Sequence, residues 1–101
     1  MSKSIELGPA AEISVNDSKI YNLEAIDVAV YNIDGRYYAI GVNCPHAGVV
    51  ITKGFVDGSI IICPGHGYKF DIITGKCMDN PELRLAKFNL KVSDGILFVT
   101  F

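Results

Sequence analysis

The sequence predicts an all-β protein, either an antiparallel β-sandwich or a small barrel. Asp-Gly and Thr-Gly dipeptides recur along the chain, and runs rich in Val, Ile, Tyr and Phe flank them. Asp-Gly suits the tight turns of β-hairpins, because Gly adopts positive φ without a Cβ clash. No segment has the sustained i, i+3, i+4 apolar spacing of an amphipathic helix. We therefore expect strands joined by short turns and no helices of consequence.

The individual strands are predicted from the segments that flank these turns. DVAVYNI precedes and RYYAIGV follows Asp34-Gly35, and KFNLKVS precedes and ILFVTF follows Asp94-Gly95. KFNLKV alternates apolar with polar residues, which is typical of a strand with one buried face. ELRLA, just before it, continues the same alternation and is predicted to extend the strand.

Length, composition and charge define the broad class of the protein. A chain of 101 residues, 50% apolar and 20% charged, is expected to form a single globular domain over 1–101. The net charge is −2 and the basic residues are scattered, so neither nucleic acid nor a membrane is a predicted partner. The N-terminus lacks an apolar signal core. Three cysteines, an odd number, do not suit a closed disulfide framework, and we expect reduced thiols in the cytoplasm.

Two short segments each combine one cysteine with one histidine. NCPHAGVV contains Cys44 and His46, and IICPGHGYKFD contains Cys63 and His66. A predicted strand runs into each cysteine, so both pairs are expected in loops. The segment between them, GVVITKGFVDGSIII, is long enough for a hairpin, with its turn near Gly54 or the following Asp-Gly, that brings the loops together. We predict that the four side chains converge on one metal centre.

The ligand set allows two kinds of metal centre. Two thiolates and two imidazoles could bind zinc tetrahedrally. Common zinc modules, however, pair Cys with Cys and His with His, whereas each segment here is mixed. Mixed pairs suit a centre with two unlike metal positions, in which each loop sends its thiolate to one iron and its imidazole to the other.

The pattern C-x-H, sixteen residues, C-x-x-H resembles the Rieske iron–sulfur family. It is most similar to the small Rieske ferredoxins of multicomponent ring-hydroxylating oxygenases and to related small subunits of nitrite reductases. The resemblance implies a Rieske-type antiparallel β-fold, a cluster-binding subdomain of two loops at about 42–71, and one [2Fe–2S] cluster. Cys44 and Cys63 would bind one iron, and His46 and His66 the other. DNPEL, around Pro81, resembles a third loop that covers the cluster.

The function implied by this resemblance is electron transfer rather than catalysis. The chain would accept one electron from a flavin-dependent ferredoxin reductase and pass it to a terminal oxygenase or a related oxidoreductase. An apolar rim of Pro45, Pro64 and Val49 is the expected docking face. Three alternatives remain: a small Rieske subunit of a larger, nitrite reductase-like enzyme, a redox sensor and, outside redox chemistry, a zinc-stabilised interaction module.

Departures from the family indicate a low reduction potential. High-potential Rieske proteins have a disulfide where this chain has Val49 and Gly65, and Ser and Tyr hydroxyls where it has Tyr68 and Phe70. Fewer hydrogen bonds to cluster sulfur leave the reduced state less stabilised, so we expect a potential near about −150 mV. Cys77 has no place in the motif and is predicted to be a small core residue.

Overall fold

The computed structural model describes residues 3–24, 26–45, 49–65 and 67–101. In these residues the regular structure is nine β-strands and two short 3₁₀ turns, Ala10–Glu12 and Ile51–Lys53. The predicted all-β architecture is therefore confirmed. No helix in the described part of the chain is long and apolar enough to cross a membrane. The strands are β1 (Ser4–Pro9), β2 (Ser18–Asn22), β3 (Asp27–Ile33), β4 (Arg36–Gly41), β5 (Val56–Asp57), β6 (Ile60–Ile62), β7 (Lys69–Asp71), β8 (Lys87–Ser93) and β9 (Ile96–Thr100).

The strands form two antiparallel sheets of different size. Six strands make the large sheet, in the order β1-β9-β8-β4-β3-β2, and β5, β6 and β7 make the small sheet. The small sheet is inserted in the chain between β4 and β8 of the large sheet. Both cysteine segments flank its strands, so the insertion carries the predicted metal centre.

The Asp-Gly dipeptides form the turns that the sequence predicts. Asp34 and Gly35 join β3 to β4 with φ of 53° and 87°, and Asp94 and Gly95 join β8 to β9 with φ of 51° and 77°. Two consecutive positive φ values are the signature of a type I′ hairpin turn. Gly58, with φ 62°, turns the chain between β5 and β6. This is the predicted hairpin between the two cysteine segments, and its turn residues are Gly58 and Ser59, directly after Asp57 and not at Gly54.

Strand β3 separates two hydrophobic cores. Every residue from Val28 to Ile33 is buried, and alternate side chains point to opposite faces of the sheet. The first core contains side chains from both sheets: Ala29, Tyr31, Ile33, Ile40, Cys44, Ile51, Ile61, Cys63, Phe70, Ile72, Cys77 and Leu85. The second core lies on the other face: Ala10, Ile13, Tyr21, Val28, Val30, Ala39 and Leu97.

The prediction that ELRLA extends a strand is wrong. Strand β8 begins at Lys87, and Leu85 lies in a loop, where its N–H donates to the carbonyl of Gly75 at 2.7 Å. Leu85 is nevertheless buried in the first core, and Leu83 packs against that core. The alternation therefore reflects two leucines that reach the core from a loop, a pattern that cannot be told from a strand by periodicity alone.

Candidate metal centre

The first cysteine loop (residues 43–50) leaves the end of β4. Asn43 and Val50 form an isolated antiparallel bridge. Inside this bridge the backbone N–H of Cys44 donates to the carbonyl of Val49 at 2.7 Å. The bridge and this hydrogen bond close the base of the loop and hold the backbone of Cys44 there.

The second cysteine loop (residues 62–69) connects β6 to β7 and repeats this arrangement. The backbone N–H of Cys63 donates to the carbonyl of Tyr68 at 2.8 Å. Gly67, with φ 74°, donates in turn to the carbonyl of Cys63 at 2.9 Å. Each cysteine amide thus bonds to the carbonyl five residues further along the chain, and each loop encloses four residues.

In each loop a buried cysteine is followed directly by an exposed proline. Cys44 and Cys63 are each only 1% exposed and belong to the same first core. Pro45 and Pro64, the residues that follow them, are exposed. The two predicted cysteines thus occupy corresponding positions in their loops, and both side chains are buried in the first core.

His46 and His66, the other two predicted ligands, lie outside the described residues, as do residues 47 and 48. Their predicted role as ligands remains a prediction.

Cys77 is a buried free thiol that takes part in the first core. Over the described ranges, no three His, Cys, Asp or Glu side chains come together as a metal-binding group. Cys77 is therefore not a third thiol beside Cys44 and Cys63, which fits its predicted role as a small core residue.

A third loop (residues 78–83) packs beside the second cysteine loop. The backbone N–H of Lys69 donates to Asp79 Oδ2 at 2.7 Å, and the N–H of Met78 donates to the carbonyl of Lys69 at 2.7 Å. Met78 is 63% exposed. The predicted position of this loop beside the centre is thus supported by two direct contacts. Asp79 is the first residue of DNPEL, but the sequence analysis assigned no role to Asp79 or to Met78.

Lys87 links the large sheet to the turn that follows β7. Its Nζ donates to the carbonyl of Ile72 at 3.0 Å and lies 5.1 Å from the ring centroid of Tyr38. Burial lowers the pKa of Lys87, and the nearby carboxylate of Asp71 opposes this effect. The Lys87 side chain thereby connects the turn after β7 to strands β4 and β8 of the large sheet.

The donor chemistry of the two loops fits an iron–sulfur centre, since thiolates are the soft ligands that such clusters require. Residues 3–89 match the model of the Rieske [2Fe-2S] domain. The chain belongs to the Rieske [2Fe–2S] domain family. It accordingly carries one [2Fe–2S] cluster of Rieske type, and the alternative of a zinc module is set aside.

Several relatives of this Rieske domain are ferredoxins. Ferredoxin CarAc of Metapseudomonas resinovorans is 30% identical over 82 residues, which cover 80% of this chain and 77% of that protein. The ferredoxin component of the naphthalene 1,2-dioxygenase system of Pseudomonas putida is 32% identical over 85 residues, covering 84% and 82%. A chain in the complex of reduced oxygenase and oxidized ferredoxin in carbazole 1,9a-dioxygenase superposes with a TM-score of 0.85 at 28% identity, covering 95% of this chain and 91% of that one.

The Rieske domain also occurs as part of longer relatives. Apoptosis-inducing factor 3 of Homo sapiens is 32% identical over 98 residues, which cover 96% of this chain but only 15% of that protein. Similarity to the domain alone therefore does not define the activity of a whole protein, whereas the ferredoxins match over most of their length.

Proposed function

We propose that this chain is a one-electron carrier that takes an electron from a flavin-dependent ferredoxin reductase and delivers it to a terminal oxygenase or related oxidoreductase. The observation that carries the proposal is the pair of matching loops, each with a buried cysteine at its base and an exposed proline beyond it. Such loops can hold a redox centre at the surface while water is excluded from the buried cysteine side of that centre. The ferredoxin relatives, which match over most of their length, support a carrier rather than an enzyme.

The proposed ligands are Cys44 and Cys63 for the inner iron and His46 and His66 for the outer iron. The cluster supplies the ability to gain and lose one electron. Two neutral imidazoles in place of two thiolates make the ligand set less negative, so the electron is accepted more easily than with four cysteines. Burial of Cys44 and Cys63 excludes water from the thiolates, and the loop hydrogen bonds of their amides fix the backbone from which they extend.

The division of the chain proposed from the sequence is kept: one domain over 1–101, with a cluster-binding subdomain at about 42–71. Its support is that both cysteine loops and all three strands of the small sheet fall within this range. A cytoplasmic location is part of the same proposal, because a reducing compartment keeps ligand thiols from forming disulfides.

Metal analysis tests the centre directly. We expect iron and labile sulfide in equal amounts, about two of each per chain, and an EPR signal of low average g value after reduction. The variants Cys63→Ser and Cys77→Ser form a matched pair of buried thiols in the first core. Cys63→Ser should abolish the visible colour, and Cys77→Ser should retain it. A coloured Cys63→Ser protein would disprove the ligand assignment.

The reduction potential is proposed to lie near about −150 mV. Phe70 is completely buried beside the second cysteine loop and has no hydroxyl that could donate to a cluster sulfur. A redox titration followed by visible absorption measures the midpoint. A clearly positive value would contradict this part of the proposal while leaving the carrier function intact.

The docking surface is proposed to be the cluster rim, which we define as Pro45, Val50, Pro64 and Met78. Val49, which the sequence placed there, is instead half-buried and packs against the first core, while Val50 beside it is exposed. Electron-transfer encounters bury little surface, so a few exposed apolar side chains are enough.

Electron delivery to the oxygenase of a carbazole or naphthalene dioxygenase system tests this rim. Loss of the Met78 side chain from such a contact is expected to cost about 1 kcal/mol, roughly a fivefold lower second-order rate for Met78→Ala. Val92→Ala is the control, since Val92 is also exposed, at 47%, but lies at the end of β8. Equal rates for the two variants would count against the rim.

A further inference from the structure

The third loop is shaped by its own hydrogen bonds. The N–H of Cys77 donates to the carbonyl of Leu83 at 3.2 Å, and the N–H of Leu83 donates to the carbonyl of Asn80 at 3.1 Å. The side chain of Asn80 accepts the N–H of Glu82 at 3.0 Å, which forms a tight Asx turn. The loop is therefore a closed unit that can support a neighbouring segment.

The contact between this unit and the second cysteine loop is centred on Lys69. The residue before it, Tyr68, accepts the amide of Cys63, and Lys69 itself pairs with Ile62 across the small sheet. On its other side the Lys69 carbonyl accepts the N–H of Met78, as in a regular antiparallel ladder. The Lys69 amide, however, donates to a carboxylate, Asp79 Oδ2, at 2.7 Å.

A charged acceptor makes this contact different from an ordinary ladder bond. Hydrogen bonds to an ionised carboxylate are shorter and roughly twice as strong as those between neutral groups. The bond also places a negative charge beside Lys69, the last residue of the second cysteine loop. Asp79 is exposed, so solvent screens its charge without removing its effect over a short distance.

We infer that Asp79 is a positioning residue of the cluster site, whose carboxylate fixes the second cysteine loop through the Lys69 amide and whose charge disfavours reduction. This inference rests on the proposed ligand set. The first effect is mechanical: without the acceptor, the segment from Cys63 to Lys69 loses the hydrogen bond from the Lys69 amide and stays joined to the third loop by the bond from Met78 N–H to the Lys69 carbonyl. The second is electrostatic, because adding an electron to the cluster is less favourable near a fixed negative charge.

Two substitutions of Asp79 separate these effects. Asp79→Asn keeps an oxygen that can accept the Lys69 amide but removes the charge, so we expect normal cluster retention and spectra with a higher midpoint potential. The expected gain in electron affinity is at most about tenfold, or about 59 mV for one electron. Asp79→Ala removes both, and we expect the cluster to be lost to an iron chelator about tenfold faster than from the wild type.

Glu82→Gln is the matched control. Glu82 is an exposed carboxylate in the same third loop, and the hydrogen bond through which it shapes the loop uses its backbone N–H rather than its side chain. We expect Glu82→Gln to retain the cluster like the wild type and to shift the midpoint less than Asp79→Asn.

The outcomes distinguish this inference from the proposed function. A wild-type protein without iron and sulfide would refute the proposed function itself. If the wild type holds its cluster, Asp79→Ala with wild-type chelator resistance would overturn the positioning role. A midpoint of Asp79→Asn equal to that of Glu82→Gln would overturn the electrostatic role.

Discussion

The two faces of strand β3 are built in different ways. The second core lies on the face away from the cysteines, and most of its members come from strands of the large sheet. The first core lies between β3 and the small sheet, whose strands have only two or three residues each. One face is therefore supported by long strand pairings, such as the six consecutive pairs of β3 with β4, and the other by loops packed over a core.

This difference shows where a metal centre can contribute to folding. A three-stranded sheet of eight residues has few backbone hydrogen bonds. The first cysteine loop follows β4, and the second connects β6 to β7. Two ligands in each loop would join them across the top of the first core. Metal binding to a site that is absent in the unfolded chain adds its free energy to folding. We therefore expect the cluster to stabilise the small sheet much more than the large one.

Removal of the cluster should produce the largest change, and only on the side of the first core. In the apo protein we expect the amides of Ile61 and Phe70, in β6 and β7, to exchange about a thousandfold faster than in the holo protein. Amides of Val30 and Ala39, in β3 and β4, should remain protected. Hydrogen exchange followed by NMR or mass spectrometry measures both. Equal loss of protection in the two sheets would show that the protein unfolds as one unit.

A pair of glycine substitutions compares the packing of the two sides. A Cβ at Gly54 would collide with the backbone carbonyl oxygen of Ile62 in β6, which cannot move without disrupting the small sheet. A Cβ at Gly41 in β4 would meet the Cβ of Ala86 at 3.0 Å, a contact that a small loop shift relieves. We expect Gly54→Ala to lower the free energy of unfolding by about 3 kcal/mol and Gly41→Ala by about 1 kcal/mol.

Denaturant unfolding of the two holo proteins measures the difference. Chelator sensitivity provides a second measurement, since Gly54 lies between the two cysteine loops in sequence and Gly41 outside them. If Gly41→Ala proved the more damaging, the close approach of Gly54 to β6 would not be a constraint on the fold.

The same contrast explains what the sequence could predict. The Asp-Gly turns and the alternating strands are local features, and they locate the hairpins β3–β4 and β8–β9 correctly. Cys44 and Cys63 were predicted as ligands from residue type and spacing, because thiolates in mixed pairs have a specific chemistry, and the structure shows both buried in the first core. ELRLA was assigned wrongly, because Leu85 is buried in the first core from a loop whose backbone bonds to Gly75, a contact that no local pattern shows.

Residues that support the centre were harder to identify. Asp79 acts through a hydrogen bond to a backbone amide ten residues away in sequence, and carboxylates of this kind are common in surface loops. Val49 and Val50 are chemically alike, yet Val50 bridges to Asn43 and is exposed, while Val49 packs against the first core. Which carboxylate contacts the loop and which valine is buried depend on how the loops fold over the first core rather than on residue type.

The last comparison, whose effect appears only at high pH, is between one buried tyrosine in each core. Burial raises the pKa of Tyr31, in the first core, to about 12, and the hydroxyl of Ser18 limits the rise. Burial also raises the pKa of Tyr21, in the second core, where the ammonium of Lys19, 5.2 Å from the ring centroid, opposes the shift. A tyrosine whose pKa is raised by folding stays neutral in the native state at a pH where it ionises in the unfolded chain. Its contribution to stability is therefore complete below pH 10 and is lost as the pH rises towards 12.

At pH 11 this loss amounts to about 1.4 kcal/mol for Tyr31. Denaturant unfolding at pH 8 and pH 11 gives the loss of stability between these two pH values for each protein. We expect this loss to be about 1.4 kcal/mol smaller for Tyr31→Phe than for the wild type. Tyr21→Phe should change the pH dependence in the same direction but by less, because the nearby lysine favours the ionised ring. An equal effect of Tyr21→Phe would mean that the two cores exclude solvent from their tyrosines to the same extent, and a larger effect that the second core does so more completely.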